Sequence, residues 1–68
     1  MDVVRHLGKR VKAIRIEAKL SQEEVGFRAA MKRSYVSDLE RGKRNPTVRA
    51  LGRLAEALGV HPAELLRD

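Results

Sequence analysis

Sixty-eight residues without a single cysteine can bury only one small core and cannot be held by disulfides or thiolate-bound metal, which excludes a large catalytic cleft and leaves helix packing, alone or with a partner subunit, to stabilise the fold. Hydrophobic residues make up 43% of the chain but aromatic ones only 3%, which favours a core of Val, Ile, Leu and Ala on helices over an aromatic-rich sheet. The net charge of +6 is unevenly spread: residues 1–27 carry six basic and four acidic side chains, residues 28–49 seven and two, and residues 50–68 two and three, so the excess is focused in the middle third, as a polyanion partner rewards.

At the N-terminus, MDVVRHLGKR sets basic residues beside Val3, Val4 and Leu7, with no apolar run long enough for a secretory signal or a membrane span. A soluble, cytoplasmic protein with no membrane partner is expected. Val4, Leu7, Val11, Ile14 and Ala18 then recur at helical spacing and line one face of a first helix, from an N-cap at Asp2 to about Lys19. Ser21, with Glu24 three residues on, reads as a capping box in which the carboxylate reaches back to the Ser21 amide. It opens a second helix of about two turns, whose Val25 and Ala29 face inward.

From Arg33 to Arg41 a third helix turns Val36 and Leu39 inward, while Ser34, Ser37, Asp38 and Arg41 project to the opposite side. Gly42 suits the residue just past its end, and Lys43-Arg44-Asn45-Pro46 forms a basic loop whose proline resists helix continuation. Thr47 caps a fourth helix with Val48, Leu51, Leu54, Ala55 and Leu58 as its apolar stripe, ending at Gly59. Pro62 fits the first turn of a terminal fifth helix reaching about Arg67. With short connections and no repeat or linker, residues 1–68 read as one domain: an all-α, compact five-helix bundle without strands.

The second and third helices, joined by a tight connection containing Ala30 and Met31, have the proportions of a helix-turn-helix, in which the later helix enters the DNA major groove by its N-terminal end. Its first turn offers Lys32, Arg33, Ser34 and Tyr35, long or hydrogen-bonding side chains suited to base edges. Three ordered stretches, Leu20-Ser21-Gln22-Glu23-Glu24-Val25, then Tyr35-Val36-Ser37-Asp38-Leu39-Glu40-Arg41-Gly42-Lys43-Arg44-Asn45-Pro46, then Leu54-Ala55-Glu56-Ala57-Leu58-Gly59-Val60, resemble the Cro and phage-repressor-like helix-turn-helix family, the XRE family, from about Leu7 to Leu66. Phe27-Arg28-Ala29 with Arg33-Ser34-Tyr35 resembles the restriction-modification controller proteins in particular.

The resemblance implies a sequence-specific transcriptional regulator of bacterial or phage type, nucleoid-associated when bound to a double-stranded operator. It assigns Gln22 to a phosphate at the start of the second helix, where a helix N-terminus also offers free amides. It assigns Arg33, Ser34, Tyr35 and Ser37 to base or nearby backbone contacts, with Lys32 and Asp38 on the same face. Arg41, Lys43, Arg44 and Asn45 grip phosphates, with Arg44 reaching toward the minor groove. It also implies that Arg15 and Glu40 pair beneath the motif as a structural ion pair. The family's frequent glycine in the turn is replaced here by Ala30, and its usual alanine in the second helix by Gly26.

Arg33 is expected to read guanine O6 and N7 in preference to neutralising a phosphate. Asp38 is unfavourable near phosphates unless it accepts from a cytosine amine or orients Arg41 or Arg33, and orientation is the better fit. Phe27 falls across the second helix from Val25 and Ala29, where it packs on Tyr35 or a loop, or else meets a partner. His6 and His61 lack companions at metal-ligand spacing, so no metal is expected, and His61 suits the cap of the terminal helix. Ser21, Ser34 and Ser37 have cap or surface roles without a nearby histidine, so neither an enzyme nor a cofactor is expected.

One short recognition helix reads only a few base pairs, which calls for a homodimer on a pseudo-palindrome. Leu58, Val60, Leu65 and Leu66, in the nearly neutral C-terminal third, are its expected interface, and no small-molecule effector is expected. An antitoxin-like interaction module with secondary DNA binding is the alternative, but no toxin-binding tail is expected after the last helix. RNA binding finds no exposed aromatic platform for stacking bases.

Overall fold

The computed structural model describes all 68 residues, as four α-helices and a closing 3₁₀ turn: α1 (Val3–Glu17), α2 (Gln22–Ala29), α3 (Arg33–Glu40), α4 (Val48–Leu58) and the turn Pro62–Leu65. The expected fifth helix is therefore corrected to this single turn. Its bonds run from Glu64 N to His61 O and from Leu66 N to Ala63 O, an i→i+3 pattern, and four residues are too few to repay the cost of nucleating an α-helix. There is no strand, and no helix is long and apolar enough to cross a membrane.

Side chains cap three helix starts. Asp2 Oδ1 accepts from the Val4 and Arg5 amides at 3.1 and 3.2 Å, and Thr47 Oγ1 accepts from Ala50 N at 3.0 Å. At α2 the capping box closes in both directions, with Ser21 Oγ accepting from Glu24 N at 3.0 Å and Glu24 Oε1 accepting from Ser21 N at 2.9 Å. The bond from the Ser21 backbone holds the Glu24 carboxyl below the usual carboxylate range. The unfolded chain then binds more protons than the folded one in acid, so stability present above the ordinary Glu range should fall as pH drops from that range through the lowered value of the folded state. Urea titrations across acidic pH should show a shallower decline in Glu24→Gln than in the parent; parallel curves would remove the capping box as a source of acid sensitivity.

All four helices end the same way, with a left-handed residue and paired 6→1 and 5→2 bonds. The left-handed residues are Lys19, Ala30, Gly42 and Gly59. For α3 the bonds are Lys43 N to Asp38 O at 2.9 Å and Gly42 N to Leu39 O at 3.0 Å. Lys19 (φ 60°) ends α1 at Glu17, two residues short of the expected end, and swings Leu20 back against the core. Ala30 holds φ 58° and ψ 46° despite its Cβ, at a cost of about 1 kcal/mol, so the turn keeps its left-handed shape without the family's glycine.

Leu7 and Val11 of α1, Val25 and Ala29 of α2, Val36 and Leu39 of α3, and Leu54, Ala55, Ala57 and Leu58 of α4 form one core that Leu65 closes from the terminal turn. Two interface residues expected from sequence are thereby corrected: Leu58 and Leu65 are buried within the single chain and have no surface to offer a partner. Val60 also packs against this core, while Leu66 remains 44% exposed. Val48, expected in the inward stripe, is 85% exposed, although Ala50 in the same first turn of α4 is buried.

Polar ties fasten the ends. Arg53 Nε donates to Ala29 O at 3.0 Å, joining α4 to the end of α2, and Arg10 Nε donates to Glu64 O at 2.9 Å, joining α1 to the terminal turn. His6 Nε2 lies 2.7 Å from Arg67 O, and His61 Nδ1 accepts from Ala63 N at 3.1 Å as the cap of that turn. Where α1 crosses α3, Gly8 brings the backbones so close that a Cβ there would lie 2.4 Å from Leu39 O. Gly26 does the same inside the motif, where a Cβ would lie 2.6 Å from Met31 O.

Candidate nucleic-acid interface

α2, the connection from Ala30 to Lys32, and α3 form the helix-turn-helix, with Val25, Ala29, Val36 and Leu39 locking the two helices together on the core side. The opposite side of α3 is polar. Arg33, Ser34 and Arg41 are exposed there, and Tyr35, Ser37 and Asp38 are half-buried. Lys32 is the N-cap residue of α3 and makes no side-chain capping bond, so the first amides of α3 have no intrahelical or capping partner. A helix start left open in this way, next to Lys32 and Arg33, favours anionic or hydrogen-bond-accepting groups.

The loop after α3 extends this surface. Lys43, Arg44 and Asn45 are exposed, and the Arg44 guanidinium lies over the Tyr35 ring, 5.1 Å from its centroid. Asp38 Oδ1 pairs with Arg41 Nη2 and Asp38 Oδ2 with Arg44 Nε at 3.6 Å. The Arg41 bond, helped by the charges of Arg44 and Lys43, holds the Asp38 carboxyl below its usual range. The orienting partners of Asp38 are thus Arg41 and Arg44, and Arg33 is not among them.

Beneath the motif, Arg15 Nε and Nη2 donate to Glu40 Oε2 and Oε1 at 2.6 and 3.0 Å, and Arg15 Nη1 donates to Leu20 O at 2.9 Å. Glu40 is only 3% exposed and Arg15 13%. The hydrogen bond to Glu40 raises the Arg15 pKa, and burial only partly opposes it. Gln22, expected to face a phosphate, donates its Nε2 to Glu40 Oε1 at 3.0 Å. That side chain is drawn inward because Glu40 has a free lone pair beside α2; the second Nε2 hydrogen and the backbone amide are what it leaves for an outside anion.

One cation escaped the sequence reading. Lys12 of α1 lines the same polar depression as Ser21, Gln22 and Arg33, at the start of α2. It sits outside the motif in sequence, and only its position on the exposed face of α1 marks it. Phe27 is 88% exposed on the outer face of α2, beside Glu23, Glu24 and Arg28, and packs on neither Tyr35 nor a loop. A separate apolar groove runs between α1, the end of the basic loop and α4, lined by Val3, Leu7, Pro46, Val48, Leu51 and Leu66 among others.

The helix-turn-helix family HTH_3 matches residues 11–65 of the chain. An uncharacterised HTH-type transcriptional regulator of Sinorhizobium fredii, y4dJ, is 47% identical over 66 residues, spanning 97% of this chain and 86% of that one. The control protein C.BamHI of Bacillus amyloliquefaciens is 40% identical over 60 residues, spanning 87% of this chain and 74% of that one. Among solved structures, the restriction-modification controller protein C.AhdI of Aeromonas hydrophila superposes with a TM-score of 0.89 at 39% identity, covering 91% of this chain and 94% of that one.

Proposed function

The chain belongs to the HTH_3 helix-turn-helix family of transcriptional regulators, and from that premise we propose that it reads a pseudo-palindromic DNA operator in the cytoplasm as a homodimer. The observation that carries this reading is the joint presentation of the uncapped α3 start, Arg33 and the basic loop Lys43–Asn45 on one exposed side of the domain. α3 enters the major groove, with Arg33, Ser34, Tyr35 and Ser37 against base edges and Lys32 at its mouth. Arg41, Lys43, Arg44 and Asn45 grip one flanking backbone, and Lys12 with the α2 start holds a phosphate on the other side.

A second copy completes the site, because α3 has only eight residues and reads few base pairs alone. The apolar groove between α1 and α4 is the surface that copy covers. Val48 and Leu66, 85% and 44% exposed, rim it, and the last nineteen residues carry two basic against three acidic side chains, so like charges do not oppose docking. Two domains of 29 × 21 × 21 Å side by side suit recognition helices about 34 Å apart, one turn of DNA. Of the interface residues expected from sequence, Leu66 stays in this proposal. Placed on a promoter, such a dimer represses by blocking polymerase or activates by touching it.

Selection from a random duplex pool should enrich a pseudo-palindrome with half-sites about 10 base pairs apart. Enrichment of isolated half-sites, or none, would sink the proposal. On the selected operator, Arg33→Ala should weaken binding about tenfold and relax preference at one base position, while Lys43→Ala should lower the salt slope by about one unit without changing preference. Equal weakening of every sequence by Arg33→Ala would make Arg33 a phosphate contact. Val48→Asp should give a folded monomer in sedimentation at micromolar concentration; an undisturbed dimer would move the interface elsewhere.

A further inference from the structure

Asp38 stands where elementary electrostatics disfavours a carboxylate. It lies near the C-terminal end of α3, where the helix dipole is negative, and on the face proposed to meet phosphates. Yet every oxygen of the residue is engaged by the basic loop or its approach. Oδ1 holds Arg41, Oδ2 faces Arg44 Nε at 3.6 Å, and the main-chain oxygen accepts from Lys43 N at 2.9 Å. Arg44 in turn lies over the Tyr35 ring one turn earlier on α3, 5.1 Å from its centroid. Asp38, Arg44 and Tyr35 therefore link the reading helix to the gripping loop in the free protein.

We propose that Asp38 is a positioning residue for DNA recognition: its carboxylate clamps Arg41 and Arg44, and through Arg44 the Tyr35 ring, in the arrangement that engages the operator. The inference rests on the DNA-reading function proposed above. Arginine side chains lose much rotamer freedom when immobilised, and holding two of them in place beforehand moves that loss out of the binding step. A scrambled duplex gains less from this order, since its contacts are mainly to phosphate and tolerate many arginine poses. Asp38 thus gives up some general attraction to DNA and gains discrimination.

The test uses the full chain and two duplexes of equal length, the operator that the parent protein selects and a scrambled version. Asp38→Asn should bind the scrambled duplex as well as the parent or better, one negative charge having been removed, while its preference for the operator falls about fivefold or more. In a background with both Arg41→Gln and Arg44→Gln the same substitution should leave preference nearly unchanged, because the carboxylate then has no arginine left to hold. A second readout needs no DNA. Tyr35 is the only tyrosine and there is no tryptophan, so intrinsic fluorescence reports on this ring alone. Acrylamide should quench it more strongly in Asp38→Asn, where Arg44 no longer covers it. Unchanged quenching together with an equal gain in affinity on both duplexes would make Asp38 merely a local charge and overturn the proposal. A loss confined to one C·G pair and independent of both arginines would make it a direct base contact, with the same consequence. A parent protein without sequence preference would overturn the proposed function itself.

Discussion

Glu40→Ala should destabilise the folded chain by about 3 kcal/mol, the range for removing one partner of a buried ion pair. The size of the effect follows from how many groups converge on this carboxylate. Arg15 gives it two bonds, at 2.6 and 3.0 Å, and Gln22 gives it a third at 3.0 Å, at a position only 3% exposed. Without Glu40, the Arg15 charge is left beneath the motif with only the Leu20 carbonyl as partner. In a domain this small, the midpoint of thermal unfolding should drop by roughly 12–24 °C.

The pair is a device for register as much as for stability. Arg15 lies on α1, Gln22 at the start of α2 and Glu40 at the end of α3, so one carboxylate ties together the three helices that orient the reading face. Replacing both charges, as in Arg15→Met with Glu40→Leu, should recover much of the stability lost in Glu40→Ala, because no unpaired charge is then buried. If Glu40→Ala unfolds within about 1 kcal/mol of the parent in urea, water reaches the site and the pair is worth no more than a surface one. DNA-binding losses in Glu40 variants are accordingly to be measured well below their unfolding midpoints.

Gly8→Ala is expected to destabilise by about 2 kcal/mol, against the helix propensity that alone would make alanine better by about 1 kcal/mol in the middle of α1. A Cβ on Gly8 would stand 2.4 Å from Leu39 O and 2.8 Å from Glu40 O. These are backbone atoms, and Leu39 O already accepts from Gly42 N at 3.0 Å in the helix-ending motif, so no rotamer change can relieve the contact. α1 must instead move away from α3, which loosens Leu7 in the core and stretches the Arg15–Glu40 pair together. A lower urea midpoint is the expected result. A raised one would mean that the crossing relaxes cheaply and that propensity dominates.

Local signals carried much of the fold. Asp2, Ser21 and Thr47 cap helices because their side-chain oxygens reach amides two or three residues away, and Gly42 and Gly59 end helices because they adopt φ of 76° and 73° without a Cβ penalty. The end of α1 carries no such mark, since Lys19 takes φ 60° without glycine's freedom, and the next residue, Leu20, packs against the core. The terminal turn was overextended because Pro62 marks a helical start but says nothing about how few residues follow before the chain leaves the core.

For the candidate site, the helical repeat by itself placed Ser34, Ser37, Asp38 and Arg41 on the outer face of α3, and composition placed the positive charge in the same third of the chain, because both properties reside in a few neighbouring residues. Tertiary structure decided the rest. It buried Leu58 and Leu65 while leaving Val48 and Leu66 at the surface, turned Gln22 toward Glu40, brought Lys12 beside Arg33, and set Arg44 between Asp38 and Tyr35. Each of these outcomes depends on which of several apolar or polar groups from distant segments meet first at close packing, and a period of 3.6 residues defines a face without defining what covers it.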